Sequence, residues 1–124
     1  MEDNKVWYVY IILCEDNSYY TGITNNLINR FNKHSNGIGA NYTKVHKPLR
    51  FLSAWKVENI NIALSIEHYI KSKDKSIKIL FTVNNRLLKN YYIKYMRTKK
   101  RFNSKISIRS VSKKDIDKIN SSFM

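Results

Sequence analysis

With 124 residues and a mass of 14.8 kDa, the chain has room for one domain and a short appendage, which excludes a large multidomain enzyme. Its 43% of apolar residues can form a core, but no apolar run reaches the roughly 18 to 20 residues of a membrane-spanning helix. A single cysteine, Cys14, excludes an intramolecular disulfide and a thiolate zinc cluster. The 23 Lys and Arg residues against 9 acids give a net charge of +14, which is typical of proteins that bind a polyanion.

The positive charge is concentrated in the last third of the chain. Residues 1–84 carry 11 basic and 7 acidic side chains, whereas residues 85–124 carry 12 basic and 2 acidic ones. Basic surfaces also occur on proteins that bind anionic membranes, and Lys-rich chains are often only solvated. Charge therefore favours nucleic acid as the partner without excluding the other two interpretations.

The first elements in chain order predict a β-hairpin. Residues 6–13 form a short apolar run of β-branched and aromatic residues, which is typical of a buried strand. Residues 15–18 form a polar turn, and residues 19–23 resume the composition of a strand. Gly22 within this second strand marks a close approach of the backbone to another group.

A helix and an irregular segment are predicted after the hairpin. Thr24 or Asn25 can cap the helix, and Gly37 fits its C-terminal stop. The apolar positions of this helix are Leu27, Ile28 and Phe31. Two of the three glycines and the one proline, Pro48, lie between residues 37 and 48, so this segment is expected to form a loop.

A third strand and a second helix are predicted next. Residues 49–57 alternate as a strand, and the two sides carry different residues: Phe51, Ser53 and Trp55 on one, Leu52, Ala54 and Lys56 on the other. Asn59 or Asn61 can cap a helix over residues 62–73. Its positions available to cover a sheet are Leu64, Ile66, Tyr69 and Ile70. Residues 77–83 fit a helix and a strand equally well.

The end of the chain is predicted to be a basic helical extension. Residues 87–96 favour a helix, and the Ser- and Lys-rich sequence from about residue 98 predicts a frayed tail. The expected organisation is therefore a domain over residues 1–84 and an extension over residues 85–124. The extension is expected either to add affinity for a polyanion or to cap the core.

Five side chains are candidates for acid, base or metal chemistry: Tyr10, Tyr20, Arg30, His34 and Glu67. Arg30 and His34 lie four residues apart, so both leave the same face of the first helix and can hold one anion together. Glu67 lies close to the buried stripe of the second helix, where a carboxylate needs a cation. Taken singly, each has a plainer interpretation, such as core packing for a tyrosine or an ion pair with Lys71 for Glu67.

Taken together, these residues match a known family. The tripeptides Tyr8-Val9-Tyr10 and Tyr20-Thr21-Gly22, followed by Arg30, His34 and Glu67, resemble the GIY-YIG nuclease superfamily. The resemblance covers about residues 6–83. Of the first tripeptide only Tyr10 is retained, and Thr21 replaces an apolar residue in the second. Residues 37–44 and 48–51 resemble those of its small stand-alone single-domain members and of the nuclease half of structure-specific endonuclease subunits.

The resemblance implies a fold and an activity. The fold is α/β (α+β), with a small three-stranded antiparallel sheet flanked by helices. The activity is a divalent-metal-dependent endonuclease that hydrolyses DNA phosphodiester bonds, in DNA repair or processing. Arg30 would hold the scissile phosphate, His34 would donate or relay a proton, and Tyr10 or Tyr20 would act as the base. Glu67 would hold one Mg²⁺ or Mn²⁺.

The partners and the location follow from the same expectations. The substrate is DNA, including branched or flapped DNA, and the first five residues do not form a signal peptide, so the protein is expected inside the cell, in the cytoplasm or with a nucleoid or nucleus. One alternative is a non-catalytic nucleic-acid-binding module on the same fold, and another is an adaptor that docks on a protein partner through its basic extension. The loop side chains that either contact nucleic acid or are merely solvated are Tyr42, Lys44, His46 and Lys47.

Overall fold

Four strands form one antiparallel sheet in a computed structural model that describes residues 6–36, 41–100 and 106–122. The sheet order is β2-β1-β3-β4. The strands are β1 (Trp7–Cys14), β2 (Tyr19–Thr24), β3 (Pro48–Val57) and β4 (Ile108–Ser110). The helices within the described ranges are α1 (Leu27–Ser35), α2 (Asn41–Val45), α3 (Ile60–Lys71), α4 (Lys75–Val83), α5 (Leu87–Thr98) and α6 (Lys113–Ser121). Among these helices, none has the length and apolar character needed to cross a membrane.

The antiparallel sheet with flanking helices is confirmed, but the expected number of three strands is wrong. The fourth strand, β4, pairs with the edge of β3, where Ile108 lies opposite Val57. The expected frayed tail is likewise wrong for residues 106–122, because these residues form β4 and α6. Three residues with one buried side chain, Ile108, carry too little pattern to predict a strand. The division of the chain at residue 84 stays a prediction.

Helices cover both faces of the sheet. On one face, Val9, Ile11 and Trp55 form a core with α3, α4 and α5. On the opposite face, Tyr10 and Ile12 form a second core, whose further members include Leu27 and Phe31 of α1, Phe51 and Ala54 of β3, and Ile116 of α6. The extension after residue 84 therefore contributes helices to both cores.

A bulge in β3 changes the predicted sides of that strand. Ile11 lies opposite Ser53, but its neighbour Ile12 lies opposite Phe51, so Leu52 has no partner on β1. The extra residue turns Phe51 to the same face as Ala54 and leaves Leu52 against the opposite core. Simple alternation predicted the reverse for Phe51, and it could not anticipate the bulge.

The ends of the first two predicted helices shift by a few residues, and the cap of the first helix differs from the predicted one. Asn26, and not Thr24 or Asn25, accepts from the Asn29 N–H and begins α1, which ends at Ser35. Asn59, one of the two predicted caps, caps α3, which begins at Ile60, two residues before the predicted start. Asp74 caps α4. The short helix α2 lies within the predicted loop. Gly37, the predicted helix stop, lies outside the described residues.

Candidate active site

The paired strands β1 and β2 bring Tyr10 and Tyr20 to the same face of the sheet. The β1–β2 register places Tyr10 opposite Gly22, two residues after Tyr20. The ring centres of Tyr10 and Tyr20 are 6.3 Å apart. A Cβ atom on Gly22 would lie 2.5 Å from the Tyr10 Oη and 3.0 Å from the Tyr20 Cε2. Glycine is therefore needed here so that the Tyr10 ring can lie directly over the neighbouring strand, which confirms the predicted close approach.

Replacement of Gly22 by alanine is expected to destabilise the protein by about 1–3 kcal/mol, because the new methyl group overlaps the Tyr10 ring. Thermal melts measure this loss. Tyr10→Phe removes the atom nearest the new methyl, so the double variant should lose less stability than the two single variants combined. Strict additivity would show that Tyr10 does not meet the new methyl group.

Helix α1 places Arg30 and His34 beside the two tyrosines. The Tyr10 hydroxyl lies 2.9 Å from the His34 Nε2, and the rings of Tyr20 and His34 are 5.1 Å apart. Burial acts to lower the pKa of Arg30, but its hydrogen bonds with Tyr10 and Tyr20 hold that pKa above the usual value. The Arg30 Nε is buried without a hydrogen-bond partner among the described residues. The guanidinium thus joins both phenols and keeps an unused N–H donor.

Burial sets the protonation state of the inner pair, Tyr10 and His34. Tyr10 is 0% exposed, and desolvation is the main reason that its pKa lies well above the usual range. His34 is 1% exposed, and desolvation, followed by the charge of Arg30, lowers its pKa to about 4. His34 is therefore neutral at pH 7, and its Nε2 can accept the proton that the Tyr10 hydroxyl donates.

The lowered pKa of His34 predicts a loss of stability in mild acid. The unfolded chain binds a proton at this histidine near pH 6.5, whereas the folded protein binds it only near pH 4. The free energy of unfolding should therefore fall by roughly 3 kcal/mol between pH 7 and pH 4. Urea unfolding at several pH values measures this slope. His34→Asn should flatten it, and the exposed His68→Asn should not; equal slopes in both variants would contradict the prediction.

Helix α3 brings Glu67 to the same group of side chains. The Glu67 carboxylate lies 3.2 Å from the Lys71 Nζ, which confirms the ion pair considered from the sequence, and its side chain is 18% exposed. The Lys71 Nζ lies 6.0 Å from the centre of the Tyr20 ring. The charge of Glu67 also contributes to the raised pKa of Tyr10. Glu67 and Arg30 therefore border one site and do not lie on opposite sides of the domain.

The single carboxylate of Glu67 is compatible with a magnesium ion that keeps most of its water ligands. Within residues 6–36, 41–100 and 106–122, no group of three or more His, Cys, Asp or Glu side chains can hold a metal. Mg²⁺ is commonly bound through one or two carboxylates, waters and a substrate phosphate. Glu67, which is partly exposed, can supply the single protein carboxylate of such a site.

Two of the four predicted loop residues lie against the site. Tyr42 stacks on His46 with ring centres 4.0 Å apart, and on Tyr20 at 5.8 Å. The His46 Nδ1 pairs with an Asp16 carboxylate oxygen, which helps to lower the pKa of Asp16 to about 2, after the larger effect of its hydrogen bond with Ser18. The side chains of Lys44 and Lys47 are exposed.

The contact between Asp16 and His46 was missed by the sequence analysis. These residues lie 30 positions apart, one in the β1–β2 turn and the other after α2. No local pattern links such positions, because only the fold brings the turn and the short helix together. The five side chains selected from the sequence are, by contrast, all brought into one group.

Comparisons with known proteins give the same assignment. A sequence model of the GIY-YIG catalytic domain matches residues 6–80, a range that contains all five candidate side chains. A UPF0213 protein of Pediococcus pentosaceus is 39% identical over 79 residues, covering 64% of this chain and 83% of that protein. One of Clostridium perfringens is 44% identical over 72 residues, covering 58% and 77%.

A solved structure is also similar. The solution NMR structure of a UPF0213 protein from Bacillus halodurans has 32% sequence identity and a TM-score of 0.41, and the match covers 64% of this chain and 85% of that one. The names of these relatives state no activity. The family match over more than half of the chain shows that this protein belongs to the GIY-YIG catalytic-domain family and is similar to its small UPF0213 members.

Proposed function

We propose that the protein is a divalent-metal-dependent endonuclease that hydrolyses phosphodiester bonds in DNA. One observation supports this most strongly: Tyr10, Tyr20 and His34 pack together, with Arg30 one turn before His34 on α1 and the Glu67–Lys71 pair beside Tyr20. Hydrolysis of a phosphodiester needs a proton acceptor for water and positive charge on the phosphoryl oxygens. The family membership and the net charge of +14 favour DNA as the polyanion that enters this site.

The difference in burial separates the roles of the two tyrosines. Tyr10 is fully buried, whereas Tyr20 is partly exposed at the edge strand β2. Tyr20 is therefore the phenol that meets the attacking water. Tyr10 and His34 are positioning residues, because their mutual hydrogen bond holds Tyr10 where it can orient Arg30.

The reaction proceeds by proton transfer and in-line displacement. The Tyr20 phenolate takes a proton from water, the resulting hydroxide attacks phosphorus, and the bond from phosphorus to the 3′ oxygen breaks. The leaving 3′ oxygen then takes a proton from solvent. Phenols are weak bases at neutral pH. Arg30 and Lys71 place positive charge beside Tyr20. The positive charge of Arg30 also stabilises the phosphoryl oxygens.

A divalent ion would be held by Glu67. When bound, it would neutralise the negative charge that develops on the leaving oxygen. Lys71 pairs with the same carboxylate, so its ammonium group must move aside or turn toward the phosphate when the ion binds. DNA repair or processing is the proposed cellular role, with branched or flapped DNA among the substrates.

The test is nicking of supercoiled plasmid and cleavage of branched and flapped oligonucleotides, with Mg²⁺ and with a chelator. Tyr20→Phe is expected to lower turnover by about 10²- to 10⁴-fold and Tyr10→Phe by less, with DNA binding retained in both. Tyr91→Phe on α5 removes a hydroxyl far from the site and serves as the control. A folded wild-type protein that cuts none of these substrates would support the non-catalytic binding module instead.

A further inference from the structure

A row of basic side chains crosses the sheet next to the active site. Lys56 of β3 lies directly opposite Tyr8 of β1 on one side and Arg109 of β4 on the other. Tyr8 is two residues from Tyr10, so the row lies on the same face of the sheet as Tyr10. Tyr10 belongs to the catalytic group, which is the set of five candidate side chains described above. Like charges directly opposite each other on neighbouring strands destabilise a sheet. The Lys56–Arg109 pair therefore needs a reason other than stability.

A third cation, Lys118 of α6, lines a cleft together with Lys56 and Arg109. Among the described residues, none of the three basic side chains makes an ion pair or a side-chain hydrogen bond. One acid, Asp115, lines the cleft, and it forms no ion pair with these cations. The cleft thus carries three positive charges and one negative charge, and its cations are not held in ion pairs within the described part of the chain.

The three cations surround a cleft between the sheet and α6 with a volume of about 480 Å³. Its apolar wall includes Tyr8, Leu27, Val111 and Ile119. Leu27 is the first residue of α1, and Arg30 lies one helical turn further along. The cleft and the catalytic group therefore share both β1 and α1.

We propose that this cleft, lined by Lys56, Arg109 and Lys118, binds the sugar-phosphate backbone of DNA as it leaves the active site. The proposal rests on the proposed nuclease function of that site. One cross-strand row is about 6.6 Å from the next along a strand, and backbone phosphates follow each other at about 3.4 Å of rise per nucleotide. The rows of Tyr8 and Tyr10 are thus about two nucleotides of rise apart. The family match ends at residue 80, and Arg109 and Lys118 lie beyond it. The segment after the family match therefore supplies two of the three positive charges of the cleft.

The test compares two lysines of one helix, Lys118 in the cleft and the exposed Lys114 outside it. Each is changed to glutamine in the full chain carrying Glu67→Gln, with chelator, so that binding to duplex DNA is measured without cleavage. Both changes remove one charge, but Lys118→Gln should lower the slope of log K against log salt by about 0.9 more than Lys114→Gln. Equal slopes would overturn the proposal.

A change at Lys56 should affect stability and DNA binding in opposite directions. Lys56→Gln should raise the Tm by about 2 °C, because it removes the like-charge contact with Arg109, while it lowers the same salt slope. A lower Tm would show that Lys56 has a structural role and would overturn the argument from charge repulsion.

Two further measurements separate binding of DNA from binding of free phosphate, and binding by the cleft from nuclease activity. If 10 mM inorganic phosphate raises the Tm of the wild type but not of Lys118→Gln, while the DNA slopes are equal, the cleft binds free phosphate and the assignment to DNA is wrong. Plasmid nicking by the wild type is scored independently. Absence of nicking together with a lowered slope in Lys118→Gln would refute the nuclease function and leave the cleft as a DNA-backbone site.

Discussion

Replacement of Glu67 by glutamine is expected to lower the rate of DNA cleavage by roughly a thousandfold, the effect of losing several kcal/mol of charge stabilisation by a metal ion. Glutamine keeps the size of the side chain and a carbonyl oxygen, but it lacks the negative charge that a hard dication requires. DNA binding should remain nearly unchanged, because attraction to the phosphates comes from Arg30 and the many lysines. Nicking rates and the binding constant in chelator measure the two effects separately.

Controls connect this loss to the position of Glu67 and not to net charge. Glu15→Gln neutralises an exposed acid in the β1–β2 turn and should keep full activity. Lys71→Gln removes the ammonium group that pairs with Glu67, so half-maximal activity should need less Mg²⁺. Chelator-resistant cutting, or full activity in Glu67→Gln, would show that this carboxylate does not hold a catalytic ion.

A chain that ends at Asn84 is expected to lose its cooperative fold. It would lack four side chains that are 0–5% exposed in the two cores: Leu88, Tyr92, Ile108 and Ile116. Truncation of one large buried side chain costs about 2–5 kcal/mol, and a whole domain is stable by only about 5–15 kcal/mol. The indole N–H of Trp55 would also lose its acceptor, the Asn85 carbonyl oxygen at 2.7 Å. Far-UV circular dichroism melts test this directly.

A milder variant keeps this prediction testable if the shortened chain is insoluble. Ile116→Ala should destabilise the full chain by about 2–5 kcal/mol, since Ile116 packs in the core with Phe51 and Leu27. A shortened chain that melts cooperatively near the wild-type Tm would show that residues 85–124 are dispensable for the fold. Because truncation is expected to unfold the protein, the DNA affinity of the extension has to be measured with point variants.

Local patterns were sufficient for the elements that carry the site. The apolar runs before and after the first turn predicted β1 and β2, because β-branched and aromatic residues favour a pleated, half-buried backbone. Helical spacing placed Arg30 and His34 on one face of α1. Gly22 was recognised as a close approach, and the Tyr10 ring lies against it. The five candidate side chains converge because each is tied to a local element whose type the composition already indicated.

The amino-acid sequence by itself thus determined the superfamily, the two strands of the hairpin and the membership of the candidate site. Only the tertiary structure decided that Tyr10 is buried and Tyr20 partly exposed, that Leu52 forms a bulge, and that β4 and α6 complete the sheet and its second core. These features depend on contacts between residues distant in the chain. The edge of β3 gives the three residues of β4 hydrogen-bond partners that their own composition cannot predict, and burial of a phenol depends on which helices cover it.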